Sequence, residues 1–211
     1  MKDTFGQADG TPQRARRAGR IERMIAYPLI AVLRAVRLRY GTRVYVYFLK
    51  RWGVRMDGPP IYISSKTDLD GSDYSLIHLG EGFTISSYVR VLTHDWSPHT
   101  GGKLMGVPDG PPLGRTRGVS VGAHTFIGTG SIVMPGAVIG KGCIIGAGTV
   151  VRGIVPDYSI VIGSPGRVVG DSRAYMKRHF PNDVTLPPDG KHADALAPVQ
   201  HHNAEVRTKL Q

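Results

Sequence analysis

From Val121 to Val151 a branched aliphatic residue stands at every sixth position: Val121, Ile127, Val133, Ile139, Ile145 and Val151. Helices repeat near 3.6 residues and half-buried strands near 2, so neither explains this period. Glycine usually follows the anchor (Gly122, Gly128, Gly140, Gly146), and a small residue comes four places after it (Thr125, Ser131, Ala137, Cys143, Thr149). A parallel β-helix accounts for all three regularities. Each hexad supplies a short strand and a turn, three hexads close one triangular coil, and the anchors point inward as aliphatic ladders. The small residues fit the corners, and the glycines relieve the backbone where it turns sharply.

The period extends and fails at definite places. Leu79, Ile85 and Val91 hold it upstream, after an irregular start expected over residues 54–63. From Trp96 to Arg117 the chain is rich in glycine and proline and carries no anchors, so it is expected to leave the prism as a long loop, the kind of segment that walls a pocket. After Val151 the hexads give way, and a short helix is expected around Asp171 to His179. The expected organisation is a flexible basic segment 1–19, an amphipathic helical segment 20–53, a β-helix 54–170 with the loop 96–117, and a C-terminal helix and flexible tail 171–211.

Of the net charge of +11, +10 lies in residues 1–55, where thirteen Lys and Arg face three acidic residues. Within that segment Ile21, Met24, Ile25, Leu29, Val32 and Val36 recur at helical spacing while Arg20, Arg23, Arg34 and Arg37 project from the other side. This describes a basic amphipathic helix, interrupted at Pro28 and ended by Gly41. Its apolar stripe suits packing on the β-helix or a partner subunit, or peripheral attachment of residues 20–53 to an anionic membrane surface. Nucleic acid is not expected as a partner, because no recognition motif accompanies the charge. No apolar run is long enough to span a bilayer and the first residues lack the apolar core of a secretory signal, so a cytoplasmic location is expected. The single cysteine, Cys143, occupies a small-residue corner position and is expected to be a buried hydrophobe rather than a nucleophile.

The stretch VSVGAHTFIGTGSIVMPGAVIGKGCIIGAGTVVRGIVPDYSIVIGSPGRVV, closed by Pro156, Gly163 and Pro165, resembles the hexapeptide-repeat acyltransferases with a left-handed β-helix, specifically the galactoside, maltose and xenobiotic acetyltransferase group. The similarity covers roughly residues 54–170. It implies an all-β left-handed parallel β-helix, a homotrimer with active sites between adjacent prisms, acetyl-CoA or another acyl-CoA as co-substrate without a metal, and transfer of an acyl group to a hydroxyl of a sugar, glycolipid or polysaccharide precursor. His94, at the last regular rung before the loop, matches the family's general base. A sugar hydroxyl is a poor nucleophile, and an imidazole, titrating near neutrality, can take its proton.

By the same resemblance Thr129 and Ala147 match residues that meet the pantetheine arm, Arg152 stands where relatives carry Thr or Lys near the cofactor, and Arg167 matches the basic residue beside the nucleotide phosphates. Phe126 and Gly128 belong to the same cofactor lane, Phe126 replacing a tryptophan. Gly170 stands where a second arginine is common, a loss for which Arg173 is a candidate substitute. Asp95 is a candidate to orient His94 or to bind the acceptor, and Trp96 to stack on a sugar ring or to anchor the loop. His78 and His124 suit turn caps, His99 faces either the loop or the pocket, and His201 and His202 lie in the tail. Two alternatives remain on the sequence: a non-catalytic scaffold or binding module, and a gamma-class carbonic anhydrase-like metalloenzyme using His94 and His99.

Overall fold

A computed structural model describes residues 41–70, 73–111 and 113–183, together with residues 22, 24–26, 28, 29 and 32. The expectations for the segments 1–19 and 184–211, including His201 and His202, lie outside the described residues. Helix α1 (Gly41–Trp52) comes first. Coil one is β1 (Arg55–Met56), β2 (Tyr62–Ile63) and β3 (Asp68–Leu69), and coil two is β4 (Ile77–Leu79), β5 (Thr84–Ile85) and β6 (Arg90–Val91). The chain then departs through β7 (His94–Asp95), α2 (Ser97–Lys103) and β8 (Arg115–Thr116). It returns as coil three, β9 (Val119–Val121), β10 (Phe126–Ile127) and β11 (Ile132–Val133), and coil four, β12 (Val138–Ile139), β13 (Ile144–Ile145) and β14 (Val150–Val151). β15 (Ile154–Val155), β16 (Ser159–Ile162), β17 (Arg167–Asp171) and α3 (Ser172–His179) close the prism.

Three sheets form its faces. The first is β1-β4-β9-β12-β15, the second β2-β5-β10-β13-β16-β17 and the third β3-β6-β11-β14. All pairings within them are parallel except β16 with β17, so the fold is the expected parallel β-helix, left-handed as in the family it resembles. The hexad anchors stack in register, Ile85 on Ile127 on Ile145 and Val91 on Val133 on Val151, each at most 1% exposed. Regular coils step by 18 residues, as from Ile127 to Ile145, whereas Ile85 pairs with Ile127, 42 residues on; the difference is the excursion. The last step on the first face, Val138 to Ile154, is only 16 residues, which is why the sequence period ends at Val151.

The glycines after the anchors have a different cause from the one expected. A Cβ on Gly122 would lie 2.5 Å from the backbone of Gly140, so these positions are small because adjacent coils approach there. Sharp turning is served by a second series with positive φ, including Gly142 and Gly148. Three aromatic residues occupy that turn position instead: Tyr88, His124 and Tyr158. The His124 and Tyr158 rings lie back over Gly82 and Gly142 of the preceding coils, where a side chain would collide with them.

Helix α1 covers the N-terminal end of the prism. Tyr45, Leu49 and Trp52 are buried, Trp52 stacks on Tyr74, and the Tyr45 hydroxyl donates to Thr67 O. Gly41 therefore begins the described helix, where the sequence predicts a stop, and the Tyr45, Leu49 and Trp52 face of residues 41–52 belongs to the core. In the preceding segment Ala26 is buried in the same core and Glu22 pairs with Arg51, but Met24, Ile25, Leu29 and Val32 are exposed, so their stripe does not pack on its own prism. No helix among the described residues is long and apolar enough to cross a membrane.

Candidate active site

The excursion is less open than a loop without anchors suggests. β7 and β8 pair antiparallel, His94 opposite Thr116 and Asp95 opposite Arg115, and Pro98 stands in the first turn of α2. His99 is structural: its Nδ1 accepts the Leu113 N–H at 3.2 Å, tying α2 to the returning strand. The ribbon leaves the prism at the edge between the third and first faces, just after β6.

His94 is held there by Asp70, which follows β3 one coil earlier. Asp70 Oδ2 lies 2.5 Å from His94 Nδ1 and also accepts the Thr93 N–H at 2.9 Å and the Thr93 hydroxyl at 2.7 Å. An ionised carboxylate only accepts, so Nδ1 carries the proton and the Nε2 lone pair is left for other chemistry. The Asp70 side chain is 5% exposed and that of His94 32%, a buried orienting acid behind a partly accessible imidazole. Trp96 lies 5.5 Å from the His94 ring, half-exposed on one side and packed against Gly114 on the other.

Asp95 does not orient His94. Its carboxylate accepts the Ser97 N–H at 2.9 Å, and these Ser97 contacts, with the charges of Arg115 and Arg152, hold it below the usual carboxylate range. Asp70 is the partner of His94 that the sequence does not reveal. Coil one steps by 22 residues rather than 18, Asp68 pairing with Arg90, so no period marks Asp70 as a neighbour of His94.

The other candidates fall on different parts of the prism. Gly128, Thr129 and Ala147 share the edge between the second and third faces, joined by the Gly148 N–H donating to Thr129 O at 2.9 Å. Gly128 itself is small because a Cβ would meet Ala147 N at 2.6 Å. Phe126 faces outward on the second face beside Thr84 and Ile144, and Arg167 is exposed on β17 opposite Ile162. Arg152 lies instead on the His94 edge, lining a cleft with Asp95, Arg115 and Arg117. Arg173 is no substitute for the arginine missing at Gly170: it pairs with Asp171 and covers the Tyr158 ring.

The remaining singled-out residues are structural. His78 pairs with Asp57, and His124 sits in its turn near Glu81. Cys143 is buried, and burial pushes its thiol up, opposite to what a nucleophile needs. Among the described residues no group of three His, Cys, Asp or Glu side chains is placed to hold a metal ion.

The model of the bacterial transferase hexapeptide family, six repeats long, matches residues 118–153. Protein CapG of Staphylococcus aureus is 33% identical over 134 residues, 64% of this chain and 75% of CapG. The chain belongs to the hexapeptide-repeat transferase family. Among solved structures, a maltose O-acetyltransferase from Clostridium difficile 630 aligns at 20% identity over 72% of this chain and 86% of its own, with a TM-score of 0.49. A galactoside acetyltransferase in complex with coenzyme A aligns at 16% identity over 78% and 88%, also at 0.49. In this hexapeptide-repeat transferase the matched repeats build coils three and four, and the Asp70–His94 pair stands at the edge between the third and first faces.

Proposed function

We propose that the protein is an acyl-CoA-dependent O-acyltransferase, acetyl-CoA being the donor the family resemblance implies, and that its acceptor is a hydroxyl of a sugar, glycolipid or polysaccharide precursor. The observation that carries this reading is the Asp70–His94 pair, with Nε2 free on a partly exposed edge. His94 Nε2 accepts the hydroxyl proton as the acceptor oxygen attacks the acyl carbon, while Asp70 stabilises the imidazolium that forms. The thioester supplies an activated acyl group whose carbon–sulfur bond breaks, and His94 returns the proton to the departing sulfur. Backbone N–H groups of the cleft serve the developing oxyanion.

The edge that exposes Thr129 and Ala147, with Gly128 buried between the coils, fits the pantetheine arm: it is lined by small side chains and runs along the stacking direction. Phe126 flanks it, and Arg167, exposed and outside every ion pair of the described residues, suits the nucleotide phosphates. His94 belongs to the other edge of the third face, so one prism does not unite base and donor lane. A homotrimer, in which one prism's His94 edge faces a neighbour's donor edge, joins them. The outward strip Tyr62, Thr84, Phe126 and Ile144 on the second face supports such association.

Transfer from acetyl-CoA to a panel of sugars, read by mass spectrometry, tests the assignment. His94→Ala is expected to lower the rate about 10²–10⁴-fold, with acetyl-CoA binding by calorimetry retained. An unchanged rate in the variant removes the mechanism and leaves a binding module.

A further inference from the structure

The ribbon that presents His94 carries a second feature on its alternate positions. Asp95, Arg115 and Arg117 face away from His94 and Thr116, because side chains alternate along paired strands. Together with Arg152 beyond β14, and with Met134 and Pro135 as apolar lining, they enclose a cleft of about 130 Å³. Three guanidinium groups share it with one carboxylate. Among the described residues no ion pair within 4 Å involves Arg115, Arg117 or Arg152, and the Asp95 carboxylate, which accepts the Ser97 N–H, is one charge felt by both Arg115 and Arg152.

Gathering like charges in a small cleft is unfavourable unless an anion answers them. The planar fork of each guanidinium matches phosphate and carboxylate oxygens in pairs. Arg115 and Arg117 come from the strand that closes the excursion, Arg152 from a coil below it, so only the folded ribbon brings the three together.

We infer that this cleft is an anion subsite for the acceptor, and that the acceptor is a saccharide bearing a phosphate, phosphodiester or carboxylate group. The inference rests on the acyl-transfer reading and narrows its substrate class. The occupant is assigned to the acceptor because the cleft lies on the same edge of the prism as His94, across the ribbon from it. Arg167, assigned to the donor phosphates, sits on β17 of the second face.

Calorimetry on the full chain with inorganic pyrophosphate, D-glucuronate and acetyl-CoA tests this, comparing wild type with the triple variant Arg115→Gln, Arg117→Gln, Arg152→Gln and with the triple Lys variant. Expected are pyrophosphate or glucuronate binding that weakens as salt rises, at least a tenfold loss in the Gln variant, partial retention in the Lys variant, and acetyl-CoA affinity unchanged with or without saturating pyrophosphate. In the kinetic arm the Gln variant raises KM at least tenfold for glucose 1-phosphate or glucuronate and leaves KM for glucose unchanged. Anion binding that survives in the Gln variant overturns the subsite. So does acetyl-CoA affinity falling together with pyrophosphate affinity, which would place the donor's phosphates in the cleft. Anion binding without any acyl transfer supports the subsite and removes only the acyl-transfer reading.

Discussion

In the proposed mechanism Asp70 and His94 act as one base in two parts, since the acid fixes which ring nitrogen carries the proton and the imidazole meets the substrate. Asp70→Asn keeps the shape but removes the charge behind the ring. Its kcat is expected to fall at least tenfold with KM for acetyl-CoA unchanged. An unchanged kcat would leave Asp70 a purely structural residue. Cys143 makes the opposite case. Its buried, upward-shifted thiol is expected to resist iodoacetamide in the native protein and to react once unfolded, as intact-mass measurement would record.

At the scale of elements, the two glycine series respond differently to the same methyl group. Gly148, with positive φ and open space around it, carries only the backbone cost, so Gly148→Ala is expected to destabilise by roughly 1–2 kcal/mol. Gly142→Ala adds a collision with the Tyr158 ring and is expected to cost more in urea unfolding; equal losses would show that the ring moves aside freely. Asp171 caps α3, accepting from the Arg173 and Ala174 backbone N–H groups and pairing with the Arg173 guanidinium. Burial raises its pKa, but these hydrogen bonds outweigh it, and the net shift is downward. Its contribution is therefore complete above the ordinary carboxylate range near pH 4 and lost as pH falls through the lower folded value. Asp171→Ala is expected to cost about 1–2 kcal/mol at neutral pH, with the difference from wild type shrinking in acid.

For the whole molecule, the proposed function makes assembly part of the chemistry, because His94 and the Thr129–Ala147 edge lie on different edges of one prism. If the protein is the proposed trimer, Ile144→Glu on the outward second face is expected to convert it to monomers in light scattering and to abolish transfer while the far-UV spectrum persists. A monomeric, fully active variant would show that one prism suffices.

The ladder Val121 to Val151 is legible because every coil presents the same steric problem, and an aliphatic anchor solves it at a constant interval. His94 and the boundaries of the excursion are visible as breaks in that interval, and the basic bias of residues 1–55 as plain composition. Other features need the tertiary structure: Asp70 behind His94 across an irregular 22-residue coil, the helix inside the excursion, and α1 beginning at Gly41. So does the meeting of Arg115, Arg117 and Arg152 in one cleft. Sequence alone determined the coil, because its repeat is local and periodic. Only the folded chain decided the site, because its partners come from different coils at unequal spacings that no period encodes.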